Sequence, residues 1–384
     1  MHQSRKGPVP MKGWPLALLA AVGCGGRSSP APTASPVPHE AFARGDFDAA
    51  EASLRGATDL ESRYLLAKIL LMRHRPGESA RILHAITPRR AESVDDAFLL
   101  ERLAADLALA CLRQDDYLQA SQMYARLQDP VRARKYEILG RSVGHRTAPG
   151  WEESILELLS MDPVPTVAGS VNGRRGVFVI DTGLGEILLD RDYARRAGVT
   201  PVSAEEGVAD SVAFGRLAVQ GVPVRIGRKE TRAAARADGA VGLAFLLHFE
   251  TQLDLRRGRL TLRRLGAGLP SSGAGRGLPA YVAGDAHLVV AARVNGSPTL
   301  VGIETALAGV TIAPSVPYFQ ARQSVLKDLE VGPLRFSSPA ATPEAFPTGL
   351  DESYGFSVPA VLGPQALRGR VLTLDPRAMR ITIE

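Results

Sequence analysis

The residues best placed to do chemistry are two acids, each delivered by a copy of the same short pattern. In the first copy Val171-Asn172-Gly173 leads into Ile180-Asp181-Thr182-Gly183, and in the second Val294-Asn295-Gly296 leads at the same spacing into Ile303-Glu304-Thr305-Ala306. The offset between the acids is 304 − 181 = 123 residues. Paired carboxyl groups can act as general acid and base. The copies differ at the acid itself, so the chemistry depends on whether Glu304 can replace an aspartate.

A second matched block lies downstream in each copy and supports a duplicated module. Ala240-Val241-Gly242 in the first copy matches Val361-Leu362-Gly363 in the second, with an offset of 363 − 242 = 121 residues. Leu253-Asp254 and Leu374-Asp375 follow at the same offset. Because two separate blocks share nearly one offset, we expect two copies of one fold.

Alternating Val, Ile, Leu and Thr broken by Gly replace alanine-rich sequence after Pro163, which predicts β-structure. In the first copy the apolar strand Val177 to Ile180 carries Asp181 to a tight turn, and a second strand follows at Ile187 to Leu189. A Gly-, Ser- and Pro-rich stretch at 266–277 separates the copies. The predicted fold class is α+β multidomain, with a helical repeat domain followed by two mainly-β lobes. The predicted boundaries are a signal peptide (1–24), a flexible linker (25–38), a helical domain (39–145), a connector (146–163), lobe one (164–268) and lobe two (269–384).

The β lobes resemble the pepsin and retropepsin superfamily of aspartic peptidases. The resemblance rests on Asp181-Thr182-Gly183 after an apolar strand, on Ala240-Val241-Gly242, and on the closing strand Leu260-Thr261-Leu262. It implies two lobes around a cleft, a peptide or protein substrate, and a water molecule held between two acids, one protonated and one acting as base. Its site residues would be the acids Asp181 and Glu304, the lobe-bridging threonines Thr182 and Thr305, and the supporting glycines Gly183, Gly242 and Gly363. It implies no metal and no organic cofactor.

Lobe two departs from that pattern at two positions. Glu304 is longer than aspartate by one carbon–carbon bond, about 1.5 Å, and Ala306 replaces a glycine that would let the backbone turn tightly. Two interpretations remain open: an active peptidase with an Asp/Glu pair, or a degenerate cleft that binds peptides without cutting them. A weaker third is dimerisation through lobe one. The hairpin from Ser211 to Ile226 is the candidate flap, and lobe two has a shorter counterpart from Val325 to Phe336.

The segment before the lobes has apolar residues at helical spacing and resembles tetratricopeptide repeats. Three turns recur, at Gly45-Asp46, at Pro76-Gly77 and at Asp115-Asp116. The small residues Ala50, Ala80 and Ala120 are expected where helices approach closely, and the aromatic residues Phe47 and Tyr117 where a turn is plugged. Stacked helix pairs commonly bind a protein partner, and the alternative is a helical spacer without one.

The N-terminus resembles a bacterial lipoprotein signal. Basic residues precede an apolar run from Trp14 to Val22, which is too short to span a bilayer and ends in small residues before Cys24. We expect Cys24 to be lipidated and the protein to face the periplasm or the cell exterior, held to the membrane by the lipid alone. An ordinary secretory signal is the alternative. The other cysteine, Cys111, lies in an apolar helical pattern typical of a small buried side chain.

Composition and charge favour no other function class. The net charge is +6 with a pI of 9.5, but the arginines are scattered and aromatic residues are only 5%. A basic stripe interleaved with stacking aromatics is missing, so a nucleic-acid partner is not expected. The seven histidines are not paired at metal-ligand spacing, and a metal site is therefore not expected.

Overall fold

The computed structural model describes residues 37–87, 94–142, 144–227, 237–266, 277–307, 309–312, 328–337, 341–342 and 354–384. The described residues between 38 and 141 are mainly helical and a β-rich body follows, giving a mixed α/β protein. The predicted signal peptide, Cys24, and nearly all of the linker lie outside the described residues, as do residues 267–276 of the boundary between the copies. Within the described ranges, no helix combines the length and apolar character needed to cross a membrane.

The helical segment consists of three helical hairpins and a final helix. The helices are α1 (Pro38–Ala43), α2 (Phe47–Leu54), α3 (Leu60–Met72), α4 (Pro76–Ile86), α5 (Val94–Leu112), α6 (Tyr117–Arg126) and α7 (Pro130–Arg141). The predicted turns at Gly45-Asp46 and Asp115-Asp116 join α1 to α2 and α5 to α6, whereas Pro76-Gly77 begins α4. Asp46 and Asp116 cap α2 and α6 by accepting hydrogen bonds from Ala49 N and Gln119 N, as expected for acidic N-caps.

The residues predicted to pack within the hairpins are buried. They are Phe47, Ala50, Ala80, Tyr117 and Ala120. Cys111 is also buried, and burial raises the pKa of its thiol to about 12. Such a thiol stays protonated at neutral pH, which fits a packing role and excludes a reactive thiolate.

The described part of the body contains 21 strands and two short helices. In lobe one they are β1 (Arg146–Thr147), β2 (Glu153–Ser160), β3 (Thr166–Val171), β4 (Arg174–Asp181), β5 (Ile187–Leu189), α8 (Arg191–Arg196), β6 (Thr200–Pro201), β7 (Glu206–Phe214), β8 (Leu217–Ile226), β9 (Gly239–Gly242), α9 (Leu243–Leu246), β10 (Phe249–Asp254) and β11 (Arg259–Arg264). In lobe two they are β12 (Leu278–Ala283), β13 (His287–Val294), β14 (Ser297–Ile303), β15 (Val310–Ile312), β16 (Asp328–Val331), β17 (Leu334–Ser337), β18 (Ala341–Thr342), β19 (Ala360–Leu362), β20 (Val371–Asp375) and β21 (Arg380–Ile383).

The duplication seen in the sequence is a duplication of topology. Asn172-Gly173 and Asn295-Gly296 form matching two-residue turns in which all four residues have positive φ, between 48° and 78°. Such turns fix the register of the hairpins β3–β4 and β13–β14. In each lobe the strand that precedes the acid pairs in parallel with the strand of the downstream block, β4 with β9 and β14 with β19. The acids therefore occupy equivalent positions.

The lobes share one antiparallel sheet with the strand order β2-β11-β10-β20-β21-β12. Three strands come from each copy, and the copies meet where β10 pairs with β20. The segment predicted as a connector, 146–163, contains β1 and β2, and β2 is the edge strand of this shared sheet. Lobe one thus begins before residue 164, because pairing with β11 and β3 extends its sheet.

The helical segment packs on both lobes of its own chain. Phe47 lies 4.7 Å from Tyr281 and Phe42 lies 5.6 Å from Phe356, measured between ring centroids, so α1 and α2 contact lobe two. The later hairpins contact lobe one, where α7 packs against β7. Arg113 joins the helical segment to lobe two, because its Nη2 donates to Gly284 O at 2.6 Å. The apolar faces of the helices therefore pack, in large part, against one another and against the two lobes of the same chain.

His74 should make the helical segment sensitive to acid. Burial, assisted by Arg113 and His248, lowers the pKa of His74 to about 3 from 6.5, and its Nδ1 has no hydrogen-bond partner among the described residues. Because the unfolded chain binds the proton more readily, stability should fall as pH drops from about 6.5 towards 3, by about 1–3 kcal/mol.

The variant His74→Asn tests this, because asparagine tolerates the positive φ of 54° at this position. Urea unfolding across that pH range should show a smaller loss for His74→Asn than for wild type. His84→Asn, which changes an exposed histidine of the same segment, should behave like wild type. Equal pH dependence in all three proteins would contradict the assignment.

Candidate active site

The two acid turns are locked together by a reciprocal pair of threonines. Thr182 Oγ1 donates to Ile303 O at 2.7 Å, and Thr305 Oγ1 donates to Ile180 O at 2.6 Å. Each hydroxyl also accepts from the backbone N–H of the other threonine, at 3.1 and 3.2 Å. Both side chains are buried. The lobes of one chain therefore meet directly at the acids, an arrangement that leaves no need for a second copy of lobe one.

Asp181 and Glu304 both converge on Gly183. Asp181 is only 3% exposed, and its Oδ1 accepts the N–H of Gly183 at 3.0 Å. Glu304 is half-buried, and its Cδ would lie 2.3 Å from a Cβ placed on Gly183. The longer side chain therefore fits because residue 183 has no side chain. Its carboxyl group lies against the same residue that the Asp181 carboxylate binds.

Ala306 does not strain its turn, contrary to the expectation that a glycine would be needed there. Neither Gly183 nor Ala306 has a positive φ, so the backbone accepts any residue. The methyl group of Ala306 is buried in a small apolar cluster with Val164, Val179 and Ala240. Glycine is required at 183 for space, and that requirement is absent at 306.

Gly242 and Gly363 lie directly against the backbone of the loops that follow the two acids. A Cβ on Gly242 would lie 2.1 Å from Gly185 O, and a Cβ on Gly363 would lie 1.8 Å from Leu307 O. Real Cβ atoms do not approach backbone oxygens so closely. In both lobes the loop after the acid therefore packs directly on the backbone of the parallel strand, which holds the acid in a rigid setting.

His287 belongs to the site and was missed in the sequence because it stands alone there. His287 begins β13, and its imidazole lies close enough to Asp181 for the charge of that carboxylate to act on its pKa. Burial lowers the pKa of His287, while Asp285 and Asp181 act in the opposite direction.

The helical segment binds the loop that follows Asp181 through buried ion pairs and hydrogen bonds. Lys135 of α7 is fully buried, and its Nζ donates to Glu206 at 2.6 Å and to Glu186. The Tyr136 hydroxyl also donates to Glu186. Burial alone would raise the pKa of the Glu186 carboxyl, but Lys135 and Tyr136 hold it below its ordinary value. This buried ion network ties the acid loop to α7.

The predicted flap is a hairpin of the body. Residues 211–226 lie within the longer hairpin β7–β8, which turns at Gly215 (φ 59°). The tip is bound to Ser154, which donates to Phe214 O and accepts from Arg216 N. Val212, near the tip, pairs with Val171, and Val171 pairs with Arg174 at the start of β4. The tip therefore lies at the far end of β4 from Asp181. The shorter lobe-two counterpart is β16–β17, although residues 325–327 lie outside the described residues.

Solved structures of aspartic proteases are similar to parts of this chain. A retropepsin-like aspartic protease from Rickettsia conorii matches with 19% identity and a TM-score of 0.24, over 32% of this chain and 94% of its own. The aspartic proteinase from Irpex lacteus matches with 10% identity and a TM-score of 0.38, over 60% and 96%. Basic 7S globulin from soybean matches with 12% identity and a TM-score of 0.38, over 61% and 96%. No protein-family profile and no curated protein matches the chain.

Proposed function

We propose that this protein is an aspartic-type endopeptidase that hydrolyses peptide bonds with water activated between Asp181 and Glu304. The observation that carries the proposal is the reciprocal threonine lock, in which Thr182 and Thr305 bind each other's strands and bring the two acid turns together. A scaffold without chemistry would not need two acids delivered by equivalent turns to one point beside Gly183.

The reaction needs one proton shared between the two carboxyl groups. The ionised acid takes a proton from the water, whose oxygen then adds to the peptide carbonyl carbon. The protonated acid donates to the carbonyl oxygen, and collapse of the tetrahedral species breaks the carbon–nitrogen bond as the amine takes up a proton. Two carboxyl groups near one another favour this singly protonated state because like charges repel.

Substitution of either acid should abolish cleavage. The full-length protein would be incubated with a mixed peptide library from acidic to neutral pH, beside Asp181→Asn and Glu304→Gln. Each variant should lose at least about a hundredfold in rate, the usual contribution of a general acid or base. Mass spectrometry of the products measures the rate, and Glu157→Gln, which changes an exposed carboxylate of β2, is the matched control.

Two outcomes would contradict the proposal. Peptide binding without cleavage by the wild type would favour the alternative, a catalytically degenerate peptide-binding or scaffold protein. Cleavage that survives Glu304→Gln but not Asp181→Asn would show that Glu304 is not the second acid.

We propose that a lipid on Cys24 holds the protein on the envelope face of a bacterial membrane. The small residues before Cys24 support this placement. Mass spectrometry of the mature N-terminus should find a lipid-modified cysteine, and Cys24→Ala should release the protein from the membrane fraction. An unmodified mature N-terminus would contradict the anchor.

A further inference from the structure

The loop that follows Asp181, residues 182–186, is connected to the helical segment by a second route, which runs through His248. In this acid loop Gly185 O accepts the N–H of Ala244 at 2.9 Å, and Ala244 O lies 2.9 Å from Nδ1 of His248. The Nε2 of His248 lies 3.1 and 3.2 Å from the two carboxylate oxygens of Asp115, in the turn between α5 and α6. Three hydrogen bonds in a row therefore join the acid loop to the helical segment.

A neutral His248 ring cannot make both of its hydrogen bonds. A carbonyl oxygen and an ionised carboxylate are acceptors only, whereas a neutral imidazole has a single N–H. If Nδ1 holds the proton, a lone pair on Nε2 faces Asp115, and if Nε2 holds it, a lone pair on Nδ1 faces Ala244 O. A second proton gives the ring two N–H groups and pairs its positive charge with Asp115. The chain of hydrogen bonds is therefore complete only when His248 is an imidazolium.

In the described part of the chain, titratable side chains from three other segments act on His248, and their charge states suit a cation there. The His145 ring stacks on His248 with centroids 3.5 Å apart and planes 17° apart. Burial lowers the pKa of His145 to about 3, so that a neutral aromatic face lies against the cation. Burial also lowers the pKa of His74 to about 3, which keeps this third histidine neutral. Burial acts to raise the pKa of Asp115, but hydrogen bonds from His248 and from the Tyr117 hydroxyl hold it below its ordinary value.

We propose that His248 is a positioning residue operated by a proton: with two ring protons it ties the acid loop to Asp115, and with one it releases that tie. The tie should form as the pH falls through the neutral range, in which histidines change charge. It should persist in acid until Asp115 takes up a proton, below the ordinary carboxyl value of 3.8. Its effect on cleavage rests on the proposed peptidase function, whereas the tie itself does not.

Release of the tie should shift the acid loop locally and leave the helical segment in place. Lys135 and Tyr136 still hold Glu186 at the end of the loop. The middle of the loop lies between the lobes, since a Cβ placed on Gly185 would lie 3.3 Å from Asp285 O. A shift of about 1 Å in a catalytic group is enough to lower a rate about a hundredfold. Loss of one proton at His248 should therefore affect Asp181 without unfolding the protein.

Ring-nitrogen NMR of the full-length chain with labelled histidine tests the protonation state directly. At slightly acidic pH, the signal that disappears in His248→Gln should show two N–H groups in wild type. At the same pH Asp115→Asn should leave one, because an asparagine N–H can donate to Nε2 and a neutral ring then makes both bonds. Asparagine also tolerates the positive φ of 57° at this position.

Hydrogen exchange reports the hold on the acid loop without any peptide substrate. The N–H groups of Leu243 and Ala244 donate to Leu184 O at 2.6 Å and to Gly185 O at 2.9 Å. In wild type their protection, corrected for the intrinsic pH dependence of exchange, should fall at least about tenfold from slightly acidic to alkaline pH. Asp115→Asn should keep nearly constant protection. The matched control His84→Gln, which changes an exposed histidine of α4, should behave like wild type.

The pH profile of peptide cleavage connects the tie to the proposed function. Cleavage should fall towards alkaline pH less steeply in Asp115→Asn than in wild type, a change of profile that a general loss of stability would not produce. No cleavage at any pH would contradict the proposed function alone, because NMR and exchange on wild type still decide whether the tie exists. The inference is overturned if His248 of wild type carries one N–H at slightly acidic pH, if the protection of Ala244 does not change with pH, or if Asp115→Asn keeps the wild-type pH dependence.

Discussion

Gly183→Ala should abolish most of the proposed peptidase activity while leaving the fold nearly as stable as in wild type. The new Cβ would lie 2.3 Å from Cδ and 2.4 Å from Cγ of Glu304, so that side chain must move by roughly 1 Å or more. Because a flexible side chain gives way, the substitution should lower the free energy of unfolding by less than about 1.5 kcal/mol. A displacement of 1 Å in a catalytic group can cost about a hundredfold in rate. Peptide cleavage and thermal unfolding would be measured on the same preparation.

Two further variants show whether the clash with Glu304 is the cause. Glu304→Asp in the Gly183→Ala background removes Cδ, the atom nearest the new methyl group, and leaves a shorter side chain that can rotate away from that methyl group. The double variant should therefore cleave at least about tenfold faster than Gly183→Ala alone. Gly227→Ala is the matched control, because its Cβ would meet only Leu188 Cδ1 at an ordinary 3.5 Å. Full activity in Gly183→Ala would show that Glu304 does not need its observed position.

Lys135→Met should destabilise the protein by about 3–5 kcal/mol at neutral pH, because it leaves the buried carboxylates of Glu186 and Glu206 without their shared cation. Activity should fall as well, since Glu186 ends the loop that begins at Asp181. The effect on stability should shrink in acid. The lowered pKa of Glu186 means that wild type loses its network stabilisation as pH falls below the unfolded value, 4.5, whereas the variant gains relief when its carboxylates are protonated.

Denaturant unfolding of matched variants checks this expectation. Arg134→Ala, one residue away on α7, breaks an exposed pair with Glu137 and should change stability by about 0.5 kcal/mol or less. Adding Glu206→Gln to Lys135→Met should recover part of the loss, because it neutralises one of the two carboxylates that lose Lys135. Similar stability of Lys135→Met and Arg134→Ala would show that the buried network contributes little.

The features predicted correctly are those fixed by local chemistry. The Asn-Gly turns and the apolar strand before Asp181 each need particular residues at particular positions, and the structure has both. The helical turns at Asp46 and Asp116 were also found, because an acidic N-cap is a local signal. Duplication then related the two lobes and located both acids.

The features that were missed depend on contacts between distant segments. Strand β2 is rich in Glu and Leu, which favour strands weakly, and its β conformation comes from pairing with β11 and β3. His145 and His248 stack although about a hundred residues separate them. The space at Gly183 is set by Glu304 on the other lobe. None of these contacts can be predicted from the spacing of residues along the chain.

The shared six-stranded sheet has a consequence for how the two halves can evolve. In a symmetric dimer of one lobe, every substitution would appear at both acid turns at once. Here the halves are joined in one sheet by strands of a single chain, β10 and β20, so each is encoded separately. Gly183 stays small opposite Glu304, while the methyl group of Ala306 packs among Val164, Val179 and Ala240 of lobe one. Fusion thus lets one half keep the aspartate turn while the other carries a longer acid. A homodimer cannot differ in this way, because one sequence encodes both of its halves.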